Sequence, residues 1–448
     1  MTKLNSLKHT KVSISGGGHV IVLNTGAVIG PESEAMLQAL HSRSSGGLEA
    51  HLEALSKRGS DNFMKNFYVG YGHKSIGDCG SATIFIEGVS MLAAKAIQDW
   101  ALYSGQEVST RYVDFSKIPF FGPHDSPEGK RALERLRTFY LTSMPEVVKH
   151  LAERYPINEG ESETEYAKAI NARAFDAMRG FLPAGATTNL AWHTNFRQAA
   201  DKIALLRQHS LLEVRRIAKA LDDALATAYE NSFGHKTYLE TERYNTMSMG
   251  DNYFHTPRMA EFELVRDTID TSLLPFNILK GRPEKAELPK WVAEAGTMQF
   301  EFLLDFASFR DIQRHRAVIQ RMPLLTASIG FHQWYLSELP NDIQKEALRL
   351  LPKNRKDVES LDLSPEESQY YFPMGYKVCN RLTGDLPSLV YLVELRATRF
   401  VHPTLRAVAI QMADVLKDNL GKHGLVIHLD KEPDRFDIAR GKHDIVMK

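Results

Sequence analysis

Cysteine and net charge are both scarce in this 448-residue sequence. The two cysteines, Cys79 and Cys379, have no partner at a metal-ligand spacing. We therefore expect buried, reduced thiols, and neither a disulfide framework nor a zinc site. Lys+Arg and Asp+Glu both number 55. With no net charge, the chain has no overall field that would attract nucleic acid or an anionic membrane.

Segments for export or membrane insertion are also missing. Residues Met1–Val12 include basic side chains but lack the apolar core of a signal peptide. No stretch reaches about 18 consecutive apolar residues, the length that spans a bilayer. We expect a cytoplasmic protein that makes no contact with a membrane.

The composition that remains, 43% hydrophobic and 25% charged, is typical of a soluble enzyme. A chain of this length exceeds one ordinary core and predicts two domains of about 200 residues each. The periodicity predicts an α/β fold, or a helix-rich α+β fold. The strands are predicted at Val12–Ser15, His19–Asn24, Thr83–Glu87, Arg258–Val265 and Gln299–Asp305.

Most other segments have the spacing of helices. The helices are predicted at Gly88–Tyr103, Ser126–Tyr155, Glu161–Phe181, Ala186–Gln208, Ser210–Tyr229, Phe306–Arg316, Ser364–Leu382 and Leu386–Leu420. The polar stretch Asn231–Tyr253 is predicted to connect two halves. Gly16-Gly17-Gly18 separates two strands and is followed by no Lys-Ser/Thr, which favours a hairpin turn over a phosphate loop.

The two halves show the same order of strands, a motif-bearing helix and long helices. Leu182-Pro183 and Phe372-Pro373 lie 190 residues apart, and Leu206-Arg207 and Leu395-Arg396 lie 189 apart. These anchors predict a tandem repeat. The predicted domains are residues 1–235 and 236–448.

The sharpest polar cluster is Arg314-His315-Arg316, at the end of the apolar segment Phe302–Phe309. Consecutive residues on a helix point about 100° apart, so such a triplet would contact an extended anionic ligand from several sides. Guanidinium groups suit phosphates and the electron-rich edge of a reduced flavin. The alternative is a solvated basic face.

A second cluster runs from Gln106 to Tyr112. Ser109 and Arg111, two apart in an extended segment, would point to the same side and form a phosphate site. The alternative is a surface loop in which Tyr112 anchors the core. His193, His209 and His402 are scattered without metal-ligand spacing, so no metal is predicted.

Together these clusters resemble the motif of the flavin-dependent thymidylate synthases. That motif is Arg-His-Arg, seven residues and then Ser, with Glu two residues before the Ser and Arg-Tyr closely after it. The first half matches the later part with Glu107, Ser109, Arg111 and Tyr112, but has Asp99-Trp100-Ala101 in place of the triplet. The second half keeps the triplet and has Leu324 at the serine position. Each half thus retains what the other lacks.

Further matches carry the family's roles to individual residues. Gly72-His73-Lys74-Ser75 resembles the family's turn before the central strand. The resemblance implies that Arg179 binds a nucleotide phosphate, and that Ser75, Asn195 and Arg197 bind flavin together with the triplet. In the second half Gln369 stands at the position of Arg179. Asp385 and Pro387 stand at the positions of Asn195 and Arg197.

A late Leu-Arg in the family supplies an arginine that polarises the pyrimidine. Arg396 matches at the family's distance, and Arg207 lies one residue late. One departure concerns the Gln that precedes the triplet by three residues in the family and contacts the nucleotide. Ala96 and Asp311 stand there instead, which leaves open the identity of the substrate.

The resemblance implies FAD-dependent reductive methylation of a uracil nucleotide, in its simplest form dUMP to dTMP. It also implies methylenetetrahydrofolate and NADPH as co-substrates, and a homodimer whose four repeats form a pseudo-tetramer. Two alternatives remain. One is a flavoenzyme acting on another pyrimidine compound, and the other is a non-catalytic protein that binds nucleotide or flavin.

Overall fold

The computed structural model describes residues 9–23, 29–41, 47–70, 74–110, 113–253 and 259–430. Helix and sheet are mixed in this part of the chain, which confirms the predicted class. Its strands are β1 (His9–Ser13), β2 (His19–Leu23), β3 (Ser81–Ser90), β4 (Ser104–Glu107), β5 (Thr187–Asn195), β6 (Phe262–Asp267), β7 (Thr297–Asp305), β8 (Ile319–Arg321) and β9 (Lys377–Asp385).

The α-helices begin with α1 (Pro31–His41), α2 (Gly47–Arg58), α3 (Asp61–Phe63), α4 (Lys74–Gly77), α5 (Met91–Gln98), α6 (Pro127–Arg154), α7 (Glu163–Met178), α8 (Phe196–Leu206) and α9 (Leu212–Ala228). They continue with α10 (Leu239–Tyr253), α11 (Phe276–Gly281), α12 (Phe306–Ile312), α13 (Gln333–Ser337), α14 (Asn341–Glu359), α15 (Pro365–Ser368), α16 (Leu386–Arg396) and α17 (Pro403–Leu420). A π-helical segment, Met64–Gly70, follows α3. Among the described residues no helix is both long and apolar enough to cross a membrane.

The chain packs into two compact units. The first contains residues 1–109 and 187–252, and the second contains 110–186 and 253–448. Helices α6 and α7 therefore pack with the second unit although they precede β5 in the chain. The tandem repeats 1–235 and 236–448 remain a prediction about sequence ancestry, which is a different property from packing.

The first unit is built on an antiparallel sheet of order β1-β2-β3-β5-β4. The glycine triplet joins β1 to β2, whose register pairs Ser13 with His19, so the predicted hairpin is confirmed. Gly16, Gly17 and Gly18 all have positive φ, a conformation that glycine adopts without a steric penalty. Helix α9 packs against β1 and β2 and covers this side of the sheet.

The second unit has an antiparallel sheet of order β6-β7-β9-β8. The central strand β7 is almost completely buried, with Phe300 and Leu304 at 0% exposure. Helix α17 packs on β7, and α16 packs against β9. Strand β7 leads directly into α12, which therefore starts at the edge of a rigid core.

A block of local structure recurs at an offset of 190 residues. A 3₁₀ turn, then a strand, then an eleven-residue helix occupy Arg179–Phe181, β5 and α8 in one case and Gln369–Tyr371, β9 and α16 in the other. Both helices have a side-chain N-cap. Asn195 Oδ1 accepts from the Gln198 amide at 2.8 Å, and Asp385 Oδ1 accepts from the Ser388 amide at 2.8 Å.

Two predicted helices are wrong. Ala186–Gln208 and Ser364–Leu382 both contain strand, β5 in the first case and the start of β9 in the second. In each, alternate residues are buried, as Leu190 and Trp192 are in β5. The cause is pairing with β3 and β7 across the sheets, which overrides local helical spacing.

The longest predicted helix, Ser126–Tyr155, is confirmed as α6. Ser126 Oγ accepts from the Gly129 amide at 3.0 Å, and Pro127 occupies the first turn. Helix α14 was not predicted, and Pro352 lies inside it, where proline normally disrupts a helix. The predicted connector Asn231–Tyr253 contains α10.

Candidate functional site

The predicted site residues are divided between the two units. The second unit contains Arg179, Arg314, His315, Arg316 and Arg396, and the first contains Ser75, Glu107, Ser109, Asn195, Arg197 and Arg207. Arg111, Tyr112, Gly72 and His73 lie outside the described residues. The second-unit group comes together in space, so the site is built from it.

The Arg-His-Arg triplet does not lie on a helix, because α12 ends at Ile312. The predicted helix Phe306–Arg316 is therefore four residues too long. A turn follows, in which the His315 amide donates to the Ile312 carbonyl at 3.0 Å. The Gln320 side chain donates to the Ile312 and His315 carbonyls, both at 3.0 Å, and so satisfies the end of the helix.

His315 is the buried member of the triplet, and it contacts Arg396. Arg396 Nε donates to His315 Nε2 at 2.7 Å, across 81 residues of sequence. Burial, with the charges of Arg396 and Arg316, lowers the pKa of His315 to about 3. His315 is therefore neutral at physiological pH. Since Nε2 accepts, the ring proton resides on Nδ1.

Arg396 reaches this position because it is the last residue of α16. The triplet and the arginine were both singled out from the sequence, but they were predicted for different ligands. The structure joins them in one cluster. Tyr391, also on α16, adds an edge-on ring contact to His315 with centroids 5.9 Å apart.

Arg179 lies in the same unit, in the 3₁₀ turn after α7, and is 9% exposed. Its Nη2 donates to Ser308 Oγ at 3.2 Å and lies 3.8 Å from Asp311 Oδ2. Its Nε is buried and has no hydrogen-bond partner among the described residues. A buried guanidinium with a spare donor suits an anionic ligand.

Ser308 belongs to a buried polar network that holds Arg179. Its hydroxyl lies 3.1 Å from His402 Nδ1 and 2.8 Å from Thr404 Oγ1. Asp305 accepts from Thr404 Oγ1 at 2.6 Å and from the Tyr335 hydroxyl at 2.6 Å. Burial is the largest cause that lowers the pKa of His402, to about 3, so this histidine is neutral.

The sequence predicts a supporting role for none of these residues, and it shows His402 only as an isolated histidine. The Asp305-x-x-Ser308 spacing was a readable sign, because Asp305 Oδ1 caps α12 by accepting from the Ser308 amide at 2.9 Å. Tyr335 and Thr404 had no sequence signature. None of the five is exposed enough to contact a ligand, so we regard them as positioning residues.

Asp311 lies in the middle of the arginines. It is 3.8 Å from Arg179 Nη2 and 3.8 Å from Arg314 Nη2, and its side chain is 28% exposed. Burial alone would raise the pKa of this carboxyl, but nearby positive charges outweigh burial and lower it. Those charges belong to Arg179, Arg314, Arg396 and Arg310. The cluster therefore keeps an excess of positive charge.

In the first unit the predicted residues have mainly internal partners. Arg197 Nε donates to Asp78 Oδ1 at 2.7 Å, while Asn195 caps α8. Arg207 Nη2 donates to Glu242 Oε1 at 3.2 Å. At the 190-residue offset the position equivalent to Arg396 is held by the buried Leu206. Arg207 therefore lies one residue beyond the equivalent position in the structure as well as in the sequence.

Of the remaining first-unit residues, Ser75 belongs to a helix that packs against α8, which carries Arg197, whereas Glu107 and Ser109 lie near the end of β4. Ser75 is exposed on the short helix α4. Glu107 Oε2 accepts from Gln98 Nε2 at 2.7 Å at the end of β4, and Ser109 is exposed just beyond it. Within the described ranges no group of three or more His, Cys, Asp or Glu side chains is placed to hold a metal.

Comparison with known proteins finds a family model that is similar to part of this chain. Residues 28–229 match the model of a family described as thymidylate synthase complementing protein, which is less than half of this chain. The second unit's arginine cluster lies mostly beyond the matched segment. Its only predicted member within that segment is Arg179.

Three similar proteins are named only as UPF0159 proteins. The one from Chlamydia muridarum is 24% identical over 418 residues, covering 79% of this chain and 78% of its own length. The one from Chlamydia pneumoniae is 23% identical over 425 residues, covering 80% and 78%. The one from Thermoplasma acidophilum is 24% identical over 446 residues, covering 81% and 87%. The similarity thus extends over both units.

Proposed function

We propose that this protein is an FAD-dependent enzyme that reductively methylates a uracil nucleotide, in its simplest form dUMP to dTMP. The single observation that carries the proposal is the contact between Arg396 and His315. It joins the residue predicted to polarise the pyrimidine to the triplet predicted to bind flavin. The match of residues 28–229 to a thymidylate synthase complementing family supports a role in thymidylate synthesis.

The residues of the cluster fit such ligands. Arg179 and Arg314 place two guanidinium groups around Asp311, and the side chain of Arg314 is half exposed. Arg314, His315 and Arg316 would hold FAD, and Arg179 the nucleotide phosphate. When bound, FAD would supply the hydride, after reduction by NADPH, and methylenetetrahydrofolate would supply the one-carbon group.

The chain itself contributes orientation and electrostatics. Arg396 is held by His315 so that its remaining N–H groups donate to a carbonyl oxygen of the pyrimidine, where negative charge develops during hydride attack. A neutral His315 accepts this hydrogen bond without repelling the guanidinium. Ser308 and His402 keep Arg179 in place, and no protein nucleophile is needed.

The other residues predicted in the first half of the sequence stay predictions that rest on the resemblance. They are Ser75, Asn195 and Arg197 for flavin, Glu107, Ser109, Arg111 and Tyr112 for the nucleotide, and Arg207 as a second candidate catalytic arginine. The tandem repeat is supported by the block of structure that recurs at 190 residues. The homodimer also remains a proposal. It rests on the resemblance, since tetramers of the flavin-dependent thymidylate synthases build each site from several subunits.

The test begins with the purified protein. We expect a yellow protein that releases FAD on denaturation and forms dTMP from dUMP, methylenetetrahydrofolate and NADPH, measured by mass spectrometry. Arg314→Ala and His315→Ala should lower flavin content without changing the circular dichroism spectrum. A colourless protein that does not bind added FAD would refute the proposal.

A second candidate is a flavoenzyme that acts on another pyrimidine compound. Asp311 favours it, because a carboxylate beside Arg179 and Arg314 opposes a phosphate. A panel of uracil bases, nucleosides and nucleotides, with oxidation of reduced flavin as the readout, separates this candidate from the first.

A further inference from the structure

Asp311, which is partly exposed, differs from the buried carboxylates of its unit in how it is held. Glu338 Oε2 accepts from Arg173 Nε at 2.9 Å, and Glu301 Oε1 accepts from Arg381 Nε at 2.7 Å. These are hydrogen-bonded ion pairs. Asp311 lies 3.8 Å from both of its arginines and accepts no hydrogen bond within the part of the chain that the structure describes.

An anion from solution would make better contacts than Asp311 does. Charge-assisted hydrogen bonds between a guanidinium and an anionic oxygen form at about 2.7–2.9 Å, well inside 3.8 Å. Neither Arg179 Nη2 nor Arg314 Nη2 is within hydrogen-bond distance of Asp311, and the Arg314 side chain is 51% exposed. The carboxylate thus neutralises part of the arginine charge without saturating the donors.

We propose that Asp311 is a resident counter-ion that competes with the anionic group of the ligand and so determines how strongly the site selects phosphate-bearing substrates. The inference rests on the proposed nucleotide site. While the site is empty, Asp311 keeps the arginines from repelling one another. When a phosphate binds, its oxygens take the guanidinium donors, and the charge of Asp311 weakens that binding.

The test measures affinities for three probes, dUMP, deoxyuridine and inorganic phosphate, by isothermal titration. Asp311→Asn removes the charge and keeps the size of the side chain. We expect dUMP and inorganic phosphate to bind about tenfold more tightly or better, the effect of one charged contact, with deoxyuridine unchanged. Asp311→Glu, which keeps the charge, should bind phosphate within about threefold of wild type.

The matched control for net charge is Asp342→Asn. Asp342 is a 95% exposed carboxylate in the same unit, so its loss should leave all three affinities unchanged. If Asp311→Asn fails to fold, Asp311→Ser serves as the second uncharged variant, with the same expected gain. Phosphate affinity that is equal or weaker in a folded, uncharged variant would overturn the proposal.

The outcomes also separate this inference from the proposed function. A wild-type protein that forms no dTMP, but binds inorganic phosphate more tightly after Asp311→Asn, supports the counter-ion and refutes the thymidylate reaction. A protein that forms dTMP, but gains no phosphate affinity in the variant, keeps the reaction and refutes the counter-ion.

Discussion

The two units contain the same strand-to-helix corner with different contents. In the first unit β3 ends at Ser90, which caps α5 by accepting from the Ala93 amide at 3.0 Å. In the second unit β7 ends at Asp305, which caps α12 in the same way. Nine residues after each cap begins the segment that the sequence aligned, Asp99-Trp100-Ala101 in one unit and Arg314-His315-Arg316 in the other.

The first corner is filled by the protein's own side chains. Trp100 Nε1 donates to Gln198 Oε1 at 2.9 Å. Lys202, on α8, donates from Nζ to the Asp99 carbonyl at 2.6 Å and lies 5.6 Å from the Trp100 ring centroid. In the second corner the corresponding helix, α16, supplies Arg396 instead.

One backbone framework thus carries two different sets of side chains, internally bonded ones in the first unit and an arginine cluster in the second. In the first corner the indole N–H and one N–H of the lysine are already bonded to other groups of the protein. In the second corner, the arginines around the loosely held Asp311 leave several donors spare. We propose that the second corner carries the reaction and that the first has a structural role.

The largest expected effect concerns the arginine that distinguishes the corners. Arg396→Lys removes the Nε–H donor to His315 and the forked geometry, so we expect the rate of dTMP formation to fall about 100-fold or more, as for loss of a donor to a developing oxyanion. The matched variant in the first unit, Arg207→Lys, should change the rate less than about threefold. Equal losses would mean that both corners take part in catalysis.

The next effect is on stability, and it tests whether the first corner is closed. Burial lowers the pKa of Lys202 to about 8, below its unfolded value of about 10.5. The unfolded state therefore binds more protons, and the free energy of unfolding should rise between pH 8 and pH 10.5. The full effect is at most about 3 kcal/mol.

Lys202→Met should remove this contribution. Urea unfolding at pH 7.5 and pH 10 measures it as the difference between variant and wild type. We expect the variant to gain relative stability at pH 7.5 and to lose that gain at pH 10. Lys219→Met, at an exposed lysine of the same unit, is the control. An identical pH dependence in Lys202→Met and wild type would show that the Lys202 amine is solvated and the corner open.

The smallest effect tests the shared framework. Asn195→Ala and Asp385→Ala each remove one N-cap at equivalent positions, so each should lower the free energy of unfolding by about 1 kcal/mol. Only Asn195→Ala is expected to reduce flavin content, since the resemblance gives a flavin contact to Asn195 alone. Clearly unequal losses of stability would argue against equivalent corners.

Local features of the fold were readable from the sequence, and pairing was not. The hairpin at Gly16–Gly18 and the capped helix α6 depend on neighbouring residues, and both predictions were confirmed. The strands β5 and β9 were predicted as helix, because their partners in β3 and β7 lie between 72 and 114 residues away. The triplet Arg314-His315-Arg316 was predicted to lie on a helix, because the residue spacing around it does not show that Gln320 caps α12 at Ile312.

The sequence by itself determined the chemistry available to this protein: Arg-His-Arg, Arg179, Arg396 and an aspartate in place of a polar neutral residue. Tertiary structure alone decided which of these groups meet. Arg396 contacts His315 across 81 residues, and Arg179 contacts Ser308 across 129. Such contacts depend on tertiary packing: the antiparallel strands β7 and β9 fix where α12 and α16 begin, and non-local hydrogen bonds and burial then bring distant side chains together.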